Sequence, residues 1–487
     1  MIRSSDPDRI HPYLEDASNL SGGYASEVVF PESEKEVSQI LAEANYKKIP
    51  VTVAGNGTGL TGARIPFGGI VLATDKLGGV QEVCIPNGEQ NGCAIVGAGT
   101  TLHRLQETVA EKGLLYPPDP TEQNAFIGAS VSTNGSGARS LKYGSTRRWI
   151  RRLRVILSDG SVVELSRGEQ KISKDGTMII KTHRTTLAVP IPSYRVPPIK
   201  SAAGYYIADG MDVMDLFIGA EGTLGVVTLA EVELIPKPQG LISGVIFFQR
   251  EESAWKWVDE ARTSRYAARV LEYLDSQSLG LLREKYSRIP LNAESAIFFE
   301  QELIGPAELE LGKWLNLSKK HSALLDESWV ATSLQEQEEF KKFRYAIPVQ
   351  VNELLYQFHQ TKVGTDFAVP NRYYFDMLKC YKEFLQSSGL SYCLFGHIGE
   401  NHLHLNLIPR NPEETKKAWD LYHKIAQQVI AWGGTIAAEH GIGKLRRQYL
   451  LAMYGQKGIE EMAQIKKSLD PNGILGRGNI FSEEFLN

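Results

Sequence analysis

Three glycine-rich blocks constrain this chain most, because each lets the backbone come closer to a neighbour or a ligand than side chains allow. The first, Gly55-Asn56-Gly57-Thr58-Gly59-Leu60-Thr61-Gly62, follows a short apolar run, Val51 to Ala54, that reads as a strand. Gly57, Gly59 and Gly62, with Asp75 downstream, have the spacing of a dinucleotide-binding fingerprint. That motif requires its last glycine to open a helix facing the pyrophosphate, yet Arg64-Ile65-Pro66-Phe67-Gly68-Gly69 follows, and no helix runs through it. The block therefore reads as a loop whose backbone N–H groups form a nest for an anion. Its bland alternative is an ordinary glycine-rich turn.

The surrounding pattern is that of an α+β protein. Ser33 to Glu36 is a capping box, with Val37, Ile40, Leu41 and Ala44 at helical spacing behind it and Pro50 as the stop. Strands are expected at Ile70–Thr74, Cys93–Gly97 and Leu153–Leu157, with Asp159-Gly160 turning a hairpin between Arg154–Leu157 and Val162–Leu165. The Lys-, Thr- and Pro-rich stretch from about Gln170 to Lys200 reads as a long surface excursion. After Pro236-Lys237-Pro238, strands such as Val245–Phe248 and Ala296–Phe299 alternate with longer amphipathic helices. Three units follow: residues 1–238, residues 239–433, and a segment 434–487 too short to fold alone, which is expected to return to the first unit.

A chain of 487 residues exceeds one ordinary core. Its 57 acidic and 53 basic side chains, a formal charge of -4, argue against a general nucleic-acid binder. The first twenty residues lack the apolar run of a signal peptide, and no window reaches the length of a membrane span, so a cytoplasmic location is expected. Cys84, Cys93, Cys380 and Cys393 lack the spacing of a disulfide framework or an iron–sulfur cluster. Five arginines crowd Arg147 to Arg154; such runs are usually solvated faces, with docking of an acidic redox partner or an anionic lipid surface as the functional reading.

The second block runs from Ile127 to Arg139 after Pro117-Pro118-Asp119-Pro120 and ends at Lys142-Tyr143-Gly144; the third is Asp215 to Val227. In this order the three blocks resemble the FAD-binding domain of the vanillyl-alcohol oxidase and p-cresol methylhydroxylase superfamily. That resemblance implies a two-lobed FAD domain. Gly55, Asn56, Gly57, Thr58, Gly59, Leu60 and Gly62 would hold the pyrophosphate; Pro118, Asp119, Gly128, Ser130 and Asn134 would lie along the flavin. Glu221, Gly222, Thr223 and Val227 would sit near the ribose and adenine, with Asn479 a weaker candidate because Gly476-Arg477-Gly478-Asn479 departs from the relatives' Asn-Pro-Gly-Lys. Some relatives bind flavin covalently through a histidine or cysteine in these loops; neither occurs in Gly55 to Gly62 or Ile127 to Tyr143, so noncovalent FAD is expected.

In His397-Ile398-Gly399-Glu400-Asn401-His402-Leu403-His404-Leu405-Asn406-Leu407, leucines alternate with His402, His404 and Asn406, which reads as a strand with one apolar and one imidazole-bearing face. Such a cluster suits a metal; a lone buried histidine is more often structural. Glu439-His440, flanked by glycine, adds a carboxylate and a further imidazole, its bland reading a strand-to-helix turn. Together these blocks resemble the C-terminal half of the D-2-hydroxy-acid dehydrogenases: glycolate oxidase flavoprotein subunits, D-lactate dehydrogenases and D-2-hydroxyglutarate dehydrogenases. The resemblance covers about Glu32 to Phe481 and implies an antiparallel α+β cap over the flavin.

Carried over, His397, His404 and Glu439 would bind a divalent metal, zinc being favoured with manganese or iron as competitors, and His440 would take the substrate proton. Relatives commonly have Asp-Gly-Asn where this chain has Glu400-Asn401-His402, so His402 either adds a ligand or alters substrate choice. Arg344 matches the place where relatives hold the substrate carboxylate, which a planar guanidinium grips with two hydrogen bonds. Lys362 is a weaker candidate, because its spacing to Asp366 differs from that in relatives. The implied reaction is oxidation of a small hydroxy acid, with an external acceptor or redox partner subunit removing the electrons; a homodimer stays open. Two alternatives remain: a transferase like alkylglycerone-phosphate synthase, and a non-catalytic flavin- or metal-binding module.

Overall fold

The computed structural model describes residues 1–86, 91–170, 177–263, 265–331 and 333–486. Its first unit contains two sheets. In the smaller, strands Glu27–Phe30, Ile70–Ala73 and Val51–Ala54 run parallel, with Ile2–Ser4 added antiparallel at one edge. The helix Glu34–Lys47 covers it, burying Val37, Ile40, Leu41 and Ala44. Ser33 caps that helix by accepting from Glu36 N at 3.3 Å, while the Glu36 carboxylate accepts from Glu32 N, one residue short of a strict capping box.

The larger sheet is antiparallel, in the order Val80–Cys84, Gly92–Gly97, Val226–Pro236, Ile150–Ile156, Val162–Ser166. Asp159-Gly160 turns the last hairpin, with Gly160 at φ +80°. A Cβ at Gly160 would stand 2.5 Å from Ser38 O, so the turn packs against the first helix and only glycine fits.

The stretch 170–200 is more than a surface excursion. It carries a hairpin, Thr177–Lys181 with Thr186–Pro190, whose Met178, Ile180 and Val189 are buried in the main core. A strict alternation of buried and exposed positions hides between its lysines and threonines. Residues 171–176 of this stretch lie outside the described residues.

The second unit is built on an eight-stranded antiparallel sheet in which Leu241–Phe248, Ser295–Glu302, Ala268–Asp275, Tyr392–Gly396 and His402–Leu407 are successive neighbours. Helices including Glu251–Ala261, Leu334–Gln357, Tyr374–Ser388 and Pro412–Ala431 pack with it. The last segment does return to the first unit: Val51 N donates to Ile474 O at 2.8 Å and Gly476 N to Val51 O at 2.9 Å, extending the edge of the parallel sheet. Among the described residues, no helix is long and apolar enough to cross a membrane.

Candidate active site

The strand Val51–Ala54 delivers the chain directly into the first glycine block, which lines a cavity from Gly55 to Thr61. Gly57 adopts φ +74°, and a Cβ there would stand 2.1 Å from Arg64 Nη1. The helix Ile127–Thr133 adds Gly128 and Ser130 to the lining; a Cβ at Gly128 would collide with Ala98 at 2.7 Å. Gly222 and Val227 line the same cavity. Two buried polar atoms belonging to its lining residues, Arg64 Nε and Asp16 Oδ2, lack a hydrogen-bond partner. A glycine-built cradle with an unpartnered guanidinium nitrogen is the donor environment a pyrophosphate requires. Arg64 escapes the sequence reading because it stands there only as the first residue of a run whose Pro66, Gly68 and Gly69 bar a helix.

Other candidates stand behind that cradle. Gly62, at φ +72°, packs on Leu20. Asp119, after Pro118, pairs with Arg139 at 3.2 Å, and Asn134 ends its helix in the left-handed region, where it accepts from Arg147 N. Thr223 is buried against Tyr205 and the carbonyl of Ala220. The Asn479 amide donates to Ala63 O at 2.9 Å and Glu221 O at 3.2 Å, bracing the glycine loop from below.

Glu221 lines the cavity, but its carboxylate points at protein rather than at open space. It accepts from Ile442 N at 2.7 Å and Gly443 N at 2.6 Å, clamping the C-terminal segment to the first unit. Burial pushes its pKa up to about 7 in spite of these two donors.

Glu439 and His440 also line this cavity. They lie in an irregular loop after the helix Pro412–Ala431, not in a strand-to-helix turn. Asp366, fully buried, holds this loop by accepting from His440 N at 2.9 Å and from Glu439 N at 3.3 Å, and it pairs with Arg446 at 2.7 Å.

The paired strands Tyr392–Gly396 and His402–Leu407 bring up the other imidazoles. The turn joining them places Asn401 at φ +55°, a left-handed position that glycine and asparagine tolerate best. Both faces of the second strand are covered, the leucines by the core and the histidines by the interface between the units. Glu439 Oε1 lies 3.3 Å from His397 Nε2, 3.2 Å from His404 Nε2 and 3.6 Å from His440 Nε2. Its Oε2 is 3.0 Å from Lys200 Nζ and accepts from Ser136 Oγ at 3.2 Å.

Electrostatics tune each group differently. Burial opposes charge on Glu439, yet Lys200 and His397 hold its pKa well below the usual range. Burial also opposes charge on His397, but Glu272, whose Oε1 is 2.5 Å from Nδ1, raises it to about 9. Glu272 stays at about 2 against burial because Arg344 and His397 flank it. Burial pushes His440 down to about 4, outweighing Asp366 at 3.3 Å from Nδ1.

Arg344 is not a solvated surface group: its side chain is 10% exposed, and Nε lies 3.1 Å from Glu272 Oε2. Lys362 is exposed and carries no ion pair among the described residues. Sequence reasoning missed Glu272, Asp366 as an organising group, and Lys200. A signal existed for Glu272, a lone carboxylate within Val270-Leu271-Glu272-Tyr273-Leu274, and for Lys200 within Pro198-Ile199-Lys200-Ser201-Ala202, since a charge in an apolar run needs a partner.

Four of the five arginines in the basic run are engaged within the fold. Arg147 is half-buried, bonded to Ile218 O and the Asp215 carbonyl and packed over Tyr206; Arg151 pairs with Glu233, Arg152 with Glu164 and Glu231, and Arg154 with Glu34. Neighbouring strands supply Glu164, Glu231 and Glu233 and the helix Glu34–Lys47 supplies Glu34, while Arg148 is exposed without an ion pair among the described residues.

Residues 237–480 match the family model for the C-terminal domain of FAD-linked oxidases, and residues 25–166 match that for an FAD-binding domain. The chain belongs to the FAD-linked oxidases. It is 30% identical to the glycolate oxidase subunit GlcD of Bacillus subtilis, over 97% of this chain and 92% of that one. It is 28% identical to a D-lactate dehydrogenase of Archaeoglobus fulgidus, covering 93% and 90%, and 26% identical to the D-2-hydroxyglutarate dehydrogenase of Stutzerimonas stutzeri, covering 98% and 96%. Among solved structures it resembles an alkyldihydroxyacetonephosphate synthase, with a TM-score of 0.67 over 97% of this chain and 82% of that chain at 16% identity, a likeness of fold. This FAD-linked oxidase is thus an oxidoreductase of α+β architecture.

Proposed function

We propose that this FAD-linked oxidase converts a small D-2-hydroxy acid to its 2-oxo acid, with noncovalent FAD and a divalent metal held by His397, His404 and Glu439. One observation carries the reading: a single cavity is lined both by the glycine cradle and by Glu439 and His440. The donor set fits the ion, since two imidazole nitrogens stand within 3.3 Å of one carboxylate oxygen. When bound, FAD supplies the hydride acceptor, and the metal lowers the pKa of the substrate hydroxyl.

The remaining work falls to this chain's own side chains. His440, neutral near pH 7, takes the hydroxyl proton at Nε2, while Asp366 at Nδ1 fixes tautomer and ring orientation. Arg344, anchored through Nε to Glu272, offers its outer nitrogens to the substrate carboxylate. Glu272 also holds His397 so that Nε2 faces Glu439. An external acceptor then removes the electrons.

Anaerobic mixing with a panel of D- and L-2-hydroxy acids tests this. One D-enantiomer should bleach the flavin and turn over with an artificial electron acceptor. Bleaching by none of them would sink the reading, and bleaching without acceptor turnover would favour a transferase.

A further inference from the structure

Four side chains, not three, converge at the proposed metal position. One donor atom from each of His397, His402, His404 and Glu439 falls within 4.8 Å of all the others. The His402 ring is completely buried, with its centroid 4.5 Å from that of His404 and 5.1 Å from that of His397. Nε2 stands 3.0 Å from Asp366 Oδ1, and Nδ1 makes no hydrogen bond. Burying an imidazole with one nitrogen unsatisfied is costly, so the position asks for a partner.

We infer that His402 is a fourth protein ligand, and that the resulting site of three imidazoles and one carboxylate selects a six-coordinate ion, manganese(II), iron(II) or cobalt(II), over zinc. The inference rests on the metal-assisted reading above and deepens it. Four protein donors would complete the tetrahedral shell that zinc prefers. A 2-hydroxy acid chelating through its hydroxyl and one carboxylate oxygen needs two further positions, and six-coordinate ions provide them. Asp366 stands to His402 as Glu272 stands to His397: a buried carboxylate at one ring nitrogen orients the other.

The test uses the full-length, FAD-loaded protein, stripped with a chelator and reloaded with manganese(II) or cobalt(II). Pulsed electron paramagnetic resonance of the manganese form counts directly bound imidazoles: three are expected, and two would overturn the inference. In cobalt titrations, His402→Asn should bind at least about tenfold more weakly and shift the visible bands, with flavin content confirming an intact fold. Parental affinity and spectrum in that variant would also overturn it. Should the parent take up no manganese, cobalt or zinc, the metal-assisted reading itself fails, and the inference with it; should metal bind through two imidazoles, only His402's part is lost.

Discussion

Asp366 grips His440 twice, accepting its main-chain N–H at 2.9 Å and standing 3.3 Å from its ring Nδ1. A base held this way keeps one tautomer and one orientation. His440→Asn is therefore expected to retain FAD and metal but slow flavin reduction by about a hundred- to ten-thousand-fold. Asp366→Asn should slow it in the same direction with FAD retained. Stopped-flow bleaching with the best substrate decides; parental rates in His440→Asn would remove the base assignment.

Losing a metal ligand should have a different signature. His397→Ala, His404→Ala and Glu439→Gln each leave an incomplete shell, so metal content and flavin reduction should fall together. Elemental analysis of each variant beside its bleaching rate checks this. Full activity in a metal-free parent would refute the role of the ion.

Arg344→Lys keeps the charge but loses the planar fork, along with the Nε contact to Glu272. A loss of about tenfold to a hundredfold in kcat/KM is expected, the range of a charge-assisted hydrogen bond. Steady-state assays with an artificial acceptor measure it, and parental kcat/KM would move the carboxylate site elsewhere.

Gly57→Asp should abolish flavin binding. The position has φ +74°, a Cβ there would meet Arg64 Nη1 at 2.1 Å, and a carboxylate in the nest repels a pyrophosphate. Absorbance of the purified variant gives the answer. For the parent, acid precipitation should release all the yellow colour; colour retained in the pellet would mean a covalent link.

Asp275 supplies a prediction about pH. It caps the helix Ser276–Leu282 by accepting from Ser278 N at 2.8 Å, and burial pushes its carboxyl up to about 7. The folded protein then holds a proton that the unfolded chain releases, so this stabilisation is full below about pH 4 and is lost as pH rises through about 7. Asn caps as well as Asp and does not titrate, so Asp275→Asn should flatten that part of the profile. Its advantage over the parent should grow between about pH 4 and 7, by up to about 4 kcal/mol. Urea midpoints across that range test it; parallel profiles would show that Asp275 does not titrate there.

Periodicity and glycine placement made much of this molecule readable before any coordinates. The helix behind Ser33, the Asp159-Gly160 hairpin and the histidine strand all rest on local chemistry, which a sequence displays directly. Glu272, Asp366 and Lys200 act instead through partners far along the chain: Glu272 meets His397 across 125 positions, and Lys200 meets Glu400 across 200. Long-range pairing of this kind leaves only a charge in an apolar run as its local trace. The pairing of Arg151, Arg152 and Arg154 is hidden for the same reason, since their glutamates lie on neighbouring strands and on the helix Glu34–Lys47.

The clamp between Glu221 and residues 442–443, with the Val51 to Ile474 and Gly476 pairing, sets an order of events during synthesis. The cradle, residues 55–62, is made well before the loop carrying Glu439 and His440 and the segment that seals the first sheet. Until residue 479 has been added, the glycine loop lacks its Asn479 brace and Glu221 O lacks the amide that donates to it. A product truncated before residue 474 would be left with an open sheet edge that invites recognition by quality-control factors.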